Sequence, residues 1–137
     1  MKRILVAHDG SKSSDKALKK AVEIADKFGS TLTVVAVIPE LFLTELVEAD
    51  RTRIFETLKS ETLDMLDRIK TRTSGIKIKT VIRQGSPALE ILNAAAAVKA
   101  DVIVTGSHGR HGAEKFLLGS VSSKIVDHAT CAVLVVK

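Results

Sequence analysis

Several things are nearly absent from this sequence, and each absence removes a class of protein. A lone cysteine, Cys131, has no partner for an intramolecular disulfide. A disulfide-stapled secreted scaffold is thereby excluded, and a reducing, cytoplasmic compartment is expected. Trp and Tyr are missing altogether and Phe occurs four times in 137 residues, so the aromatic platforms on which single-stranded nucleic acids stack are all but lacking. Long apolar runs are missing too. The run Ile4 to Ala7, behind Met1-Lys2-Arg3, is too short for a signal peptide or a membrane span, and no other segment comes closer. No internal repeat, low-complexity tract or linker interrupts the chain, and one domain spanning residues 1–137 is expected.

The composition that remains is that of a globular protein, with 45% hydrophobic and 27% charged residues. The net charge of +5 and the pI near 9.5 raise the question of phosphate-backbone binding. Yet the 21 Lys and Arg are interleaved with 16 acids, as in Asp64, Asp67, Arg68, Lys70 and Arg72. That is the pattern of a solvated helix face. Nucleic acid is therefore not an expected partner, and a bias toward small anionic ligands is the safer inference.

Five short β-branched and aliphatic runs, Lys2 to Ala7, Thr31 to Ile38, Lys77 to Ile82, Val102 to Thr105 and Ala132 to Val136, read as buried strands. Cys131 adjoins the last of them and reads as a small buried hydrophobe. Between the runs the period turns helical. Ala17, Leu18, Ala21, Ile24, Ala25 and Phe28 make one stripe, closed by Gly29 as a C-cap. Ile54, Phe55, Leu58, Met65, Leu66 and Ile69 make a second between about Asp50 and Thr73. Ser86-Pro87 opens a third helix, with Ser as N-cap and Pro at the first helical position, which continues through Leu89, Ile91, Leu92 and Ala94 to Ala97. A fourth runs from Ser120 to about His128. Strands alternating with helices predict an α/β fold with a doubly wound parallel sheet and helices on both faces. In such sheets ligands bind beyond the carboxyl ends of the strands where strand order reverses.

Two strand ends carry residues suited to that place: His8-Asp9-Gly10-Ser11, and the segment from Gly106-Ser107-His108-Gly109 to Gly119-Ser120-Val121-Ser122. In the second, glycines allow backbone N–H groups to converge on an anion, serines add hydroxyls, and the amides of the helix opened by Gly119-Ser120 favour a phosphate. A surface loop using glycine for turns is the plain alternative. Asp9 or Ser11, likewise, could simply cap the following helix. Arg110 and Lys115 lie within phosphate reach or are solvated loop charges. Neither G-x-x-x-x-G-K-[ST] nor G-x-G-x-x-G occurs, which excludes Walker-type and dinucleotide sites. The pair His108 and His111 lacks the Cys or carboxylate partners of a zinc site. There is no G-x-S-x-G for a serine hydrolase.

What does occur is G-x-x-G followed after nine residues by G-S, behind the fourth strand and opening the fourth helix. Together with Ile4-Leu5-Val6-Ala7-His8-Asp9-Gly10-Ser11, Gly85-Ser86-Pro87 and Cys131 to Val136, this resembles the ATP-binding branch of the universal stress protein family over the whole chain. The resemblance implies a Rossmann-like five-stranded sheet of order 3-2-1-4-5, a homodimer paired through Ala132 to Val136, and ATP held between strands one and four; a Mg²⁺ ion arriving with that ATP would be held largely by phosphates and water. The resemblance also implies that Asp9 accepts hydrogen bonds from the ribose or adenine, that the backbone at Ala7, His8 and Val37 lines the adenine, and that Gly106, Gly109, Gly119, Ser120 and Ser122, with the Val121 N–H, hold ribose and phosphates; the Ser107 hydroxyl and the Arg110 guanidinium join that set by their chemistry as phosphate partners. His8 stands where the family commonly carries a small or hydroxylated residue. Its imidazole either narrows the pocket, stacks on a base or faces solvent. With Asp9 assigned to the sugar end, no acid remains to hold a metal for phosphoryl transfer. A nucleotide-dependent stress-response regulator with at most slow hydrolysis is expected, with a slow ATPase or phosphotransferase using Arg110, Lys115 or His111, and a nucleotide-free dimeric scaffold, as the alternatives.

Overall fold

Every strand near the middle of the sheet places alternate residues on opposite faces, and this alternation builds two cores. The computed structural model describes residues 1–40, 47–108 and 117–137. In it β1 (Arg3–Ala7), α1 (Lys12–Phe28), β2 (Thr31–Ile38), α2 (Glu48–Arg72), β3 (Ile78–Gln84), α3 (Pro87–Val98), β4 (Val102–Gly106), α4 (Ser120–His128) and β5 (Ala132–Val136) follow one another. The five strands form one parallel sheet in the order β3-β2-β1-β4-β5. On one face Ile4, Val6, Leu32, Val34, Val102 and Val104 pack with Leu18 and Ala21 of α1 and Leu66 and Ile69 of α2. On the other, Leu5, Val35 and Ile103 pack with Ala88, Ile91 and Ala94 of α3 and Ile125 of α4. Burial on both faces explains why β1, β2 and β4 are continuously apolar.

Capping fixes the helix ends. The Ser11 side chain accepts the Ser14 N–H at 3.1 Å, and Gly29, left-handed at φ 65°, sends its N–H to the Ala25 carbonyl. The turn before β4 is tied to the start of β1, where Asp101 Oδ2 accepts the Lys2 and Arg3 amides at 2.8 and 2.9 Å. Those backbone bonds hold the Asp101 carboxyl below its ordinary value of 3.8. The tie is therefore at full strength at neutral pH and is lost as the pH falls through the lowered value. Among the described residues no helix is long and apolar enough to cross a membrane.

Several expectations from periodicity need correction. β2 and β5 keep the expected bounds, while β1, β3 and β4 shift by one or two residues, most at β3, which runs Ile78–Gln84 instead of Lys77 to Ile82. Edge strands β3 and β5 are only half-buried, because each has a neighbour on one side alone. Phe28 and Leu89 are 61% and 57% exposed. Phe28 closes α1 at its outer end, and Leu89 points away from the face on which Ala88 and Ile91 meet the sheet. In this 25-residue α2 only Leu66 and Ile69 are buried, and the first half of the helix is largely exposed, Ile54 of the expected stripe included. Ser86 occupies the N-cap position of α3 but makes no capping hydrogen bond with its side chain. Cys131 is half-buried against the α3–α4 face, and desolvation pushes its thiol above the ordinary value.

The ends of α1 and α3 make a controlled comparison. Lys99 closes α3 at φ 54°, the same left-handed geometry that Gly29 adopts, and a side chain there is strained. Lys99→Gly is expected to raise the unfolding free energy by about 0.5 to 1 kcal/mol, and Gly29→Ala to lower it by about 1 kcal/mol, both read from urea denaturation.

Candidate functional site

Strand order reverses between β1 and β4, which pair through Ile4↔Val102, Leu5↔Ile103 and Val6↔Val104. Their carboxyl ends therefore open side by side, one into His8-Asp9-Gly10-Ser11 and the other into Gly106-Ser107-His108. Ala7 and Val37 are half-buried on the α3–α4 face, where Val121 of α4 joins them. That face forms the apolar floor of the crevice.

On the β1 side, the backbone is folded into consecutive small turns. The His8 N–H continues the ladder to the Val35 carbonyl at 2.9 Å. Asp9, half-buried, accepts the Ser11 N–H on Oδ1 at 2.9 Å. Capping of α1 falls to Ser11, whose carbonyl also takes the Ser14 hydroxyl at 2.8 Å. Of the two residues expected to compete for that cap, Ser11 holds it and Asp9 shapes the turn before it. The His8 imidazole, 4% exposed, turns toward α1 and α2, with Nε2 2.9 Å from Asp15 Oδ1. It neither faces solvent nor lies on the floor of the crevice.

On the β4 side, two helices converge on the strand end. Ser122 of α4 donates its hydroxyl to the Gly106 carbonyl at 2.5 Å, and the Gly119 N–H donates to the Ser107 carbonyl at 2.8 Å. The Ser107 N–H reaches Val136 of β5 at 3.0 Å, and Ser107 Oγ lies 2.8 Å from His108 Nδ1. From α1, Ser13 Oγ accepts the His108 N–H at 3.2 Å. A Cβ on Gly106 would lie 2.8 Å from the Ser13 backbone carbonyl carbon and oxygen, and nearer still to its Oγ. Glycine is needed at 106 because α1 crosses the strand there, a reason distinct from the anion cradle that the sequence suggests. Ser122 and Gly119 likewise commit a proton each to holding α4 against β4.

The first turn of α4 stands at the mouth of this crevice. Gly119 is its N-cap at φ −60° and no side-chain hydrogen bond caps it. The amides at the start of α4 thus keep the partial positive charge of a helix terminus, next to the exposed Ser120. Gly109 and Arg110, with His111 and Lys115, lie outside the described residues. Among the described residues no cluster of three His, Cys, Asp or Glu could hold a metal ion. Ser13, Asp15 and Arg72 were not singled out in the sequence. Their contacts span tens of residues or cross elements, and only a small residue in the first turn of α1 hints at Ser13.

Gly106→Ala is expected to lower stability by about 1 to 3 kcal/mol through overpacking. Adding Ser13→Ala should fail to restore it, because backbone atoms stay in the way; a double-mutant cycle in urea checks both.

The universal stress protein family model matches residues 1–137. Universal stress protein MJ0531 of Methanocaldococcus jannaschii is 38% identical over 139 residues, spanning 99% of this chain and 82% of its own. Universal stress protein UspA from Lactobacillus plantarum superposes with a TM-score of 0.85 at 30% identity, over 99% of this chain and 97% of its own. A universal stress protein solved in complex with cAMP superposes with a TM-score of 0.67 at 26% identity, over 98% of this chain and 95% of its own. With the family model, the sheet order and these relatives in agreement, the chain belongs to the universal stress protein family.

Proposed function

We propose that the protein binds a nucleotide, ATP in the first place, across the β1–β4 crevice, and acts as a nucleotide-dependent regulatory homodimer with little or no catalysis. The observation that carries this reading is the uncapped first turn of α4, held by Ser122 and Gly119 beside the end of β4 and across from Asp9. A phosphate is the natural complement of such a terminus. Asp9 is placed to accept from a ribose hydroxyl, Ala7, His8 and Val37 offer backbone and apolar surface to a base, and Val121 and Ser120 offer amides. Ser107 and Gly106 support these groups from below, and Ser122 acts by anchoring α4. Gly109 and Arg110 complete the proposal on grounds of sequence. The family member solved with cAMP supports a nucleotide as the ligand class.

The donor set fits a phosphorylated ligand better than it fits phosphoryl transfer. Of the two carboxylates between the end of β1 and the first turn of α1, Asp15 is engaged by His8 and Asp9 belongs to the turn at the sugar end. Mg²⁺ arriving with ATP would be held largely by phosphates and water.

Calorimetric titration of the purified protein with ATP is expected to show binding, and heat denaturation to release bound nucleotide; neither signal at millimolar ATP overturns the reading. Ser120→Asp supplies a sharper test, since its carboxylate would occupy the anion position itself. ATP affinity is expected to fall about tenfold or more, while the helix gains about 0.3 to 1 kcal/mol from an acid in its first turn.

The dimer is proposed through β5. This strand is an edge, and Val135 is half-buried yet packs into neither core cluster. An apolar edge of that kind is a template for pairing. Light scattering is expected to give twice the 14.7 kDa chain mass, and Val135→Asp to give monomer or insoluble protein; a monomeric wild type overturns the dimer.

A further inference from the structure

We infer that the His8 side chain is a positioning residue for the nucleotide site: it holds the Asp9-Gly10 turn in shape from behind and fastens it to α1. The inference rests on the nucleotide reading above, and concerns a side chain pointing away from the crevice.

Its two ring nitrogens are used in opposite senses. Nδ1 accepts the Gly10 N–H at 3.1 Å, and Nε2 lies 2.9 Å from Asp15 Oδ1. An ionised carboxylate only accepts, so Nε2 carries the proton and donates it, which leaves Nδ1 as the acceptor that Gly10 requires. One tautomer satisfies both bonds. Because the ring is almost fully buried, losing either partner would strand a polar group.

Three consecutive residues are shaped by this arrangement. Gly10 is left-handed at φ 87°, a conformation that leaves its amide aimed back at His8. The next amide, of Ser11, is aimed back at Asp9. Asp9 is therefore followed by two inward-turned amides, that of Gly10 held by His8 and that of Ser11 by its own carboxylate. Its backbone direction, and with it the reach of its carboxylate into the crevice, depends on both. Arg72 of α2 adds a contact to the same Asp15 oxygen at 3.5 Å. Both of those side chains are more than half exposed, so that pair adds little. The Asp15–His8 bond fixes the tautomer, and so keeps Nδ1 an acceptor for Gly10. Around it lies a cleft of about 300 Å³ that also meets Glu61 and Arg68.

Asparagine and glutamine separate the two nitrogens. An Asn amide oxygen falls near the Nδ1 position and can accept from Gly10 without reaching Asp15, whereas a Gln amide nitrogen falls near Nε2 and reaches Asp15 without serving Gly10. The experiment measures ATP affinity by calorimetry, and amide hydrogen exchange at Gly10 in the nucleotide-free protein, for wild type, His8→Asn, His8→Gln and His8→Ala. His8→Asn is expected to keep ATP affinity within about threefold and to keep Gly10 protected. His8→Gln and His8→Ala are expected to lose about tenfold in affinity, the equivalent of one hydrogen bond, with faster Gly10 exchange. A merely structural role would weaken Asn and Gln alike, and that outcome overturns the inference. Wild-type affinity in His8→Ala also overturns it. Should the wild type bind no ATP, the nucleotide reading itself fails, and with it any role of His8 in serving a nucleotide; the Gly10 exchange then still shows whether His8 holds the turn.

Discussion

The close approach of α1 to the end of β4, possible only because Gly106 has no Cβ, is the constraint on which the crevice depends. Parallel strands of β-branched residues would otherwise keep a helix at side-chain distance. At Gly106 the first turn of α1 descends onto the strand, and Ser13 replaces a packed side chain with a hydrogen bond to the His108 amide. This contact brings the β1–α1 turn, which carries Asp9, beside the β4 end, to which α4 is pinned by Ser122 and Gly119. Two helices entering from opposite faces of the sheet are thus referenced to the same three residues, Gly106, Ser107 and His108.

That arrangement separates support from binding. Ser107, Ser122 and the Gly119 amide all belong to a motif that suggests ligand contact, yet each has a partner in the protein. Among the described residues, no side chain caps the backbone amides at the start of α4. Such a site is rigid where it is made of helix and strand, and it discriminates by charge and shape more than by side-chain chemistry. Rigid amides of this kind are what the proposed nucleotide holder requires of the protein.

The same economy appears behind β1. His8 stands at the first residue beyond the strand on the α1–α2 face, where Ile4 and Val6 before it are core. A buried imidazole there costs solvation unless both nitrogens are used, and both are. The result connects a turn in the crevice to α1 through one side chain.

Fold class and the two strand ends that flank the crevice were legible in residue order, because continuous apolar runs and 3.6-residue stripes report burial directly and the glycine-serine pattern is local; the sheet order was expected only through the resemblance to the universal stress protein family. Edge burial at β3 and β5, the exposure of Phe28 and Leu89, and the exposure of the first half of α2 were not legible, since they depend on which neighbours an element finds. The sequence by itself determined that glycines and serines would gather after β4 and that Asp9 would follow β1. Only the tertiary structure decided why Gly106 is glycine, which serine caps α1, and where the His8 ring points. Those answers rest on Ser13, Asp15 and Val136, residues brought to the site by helix crossing and strand pairing, and no spacing along the chain encodes a contact made across the sheet.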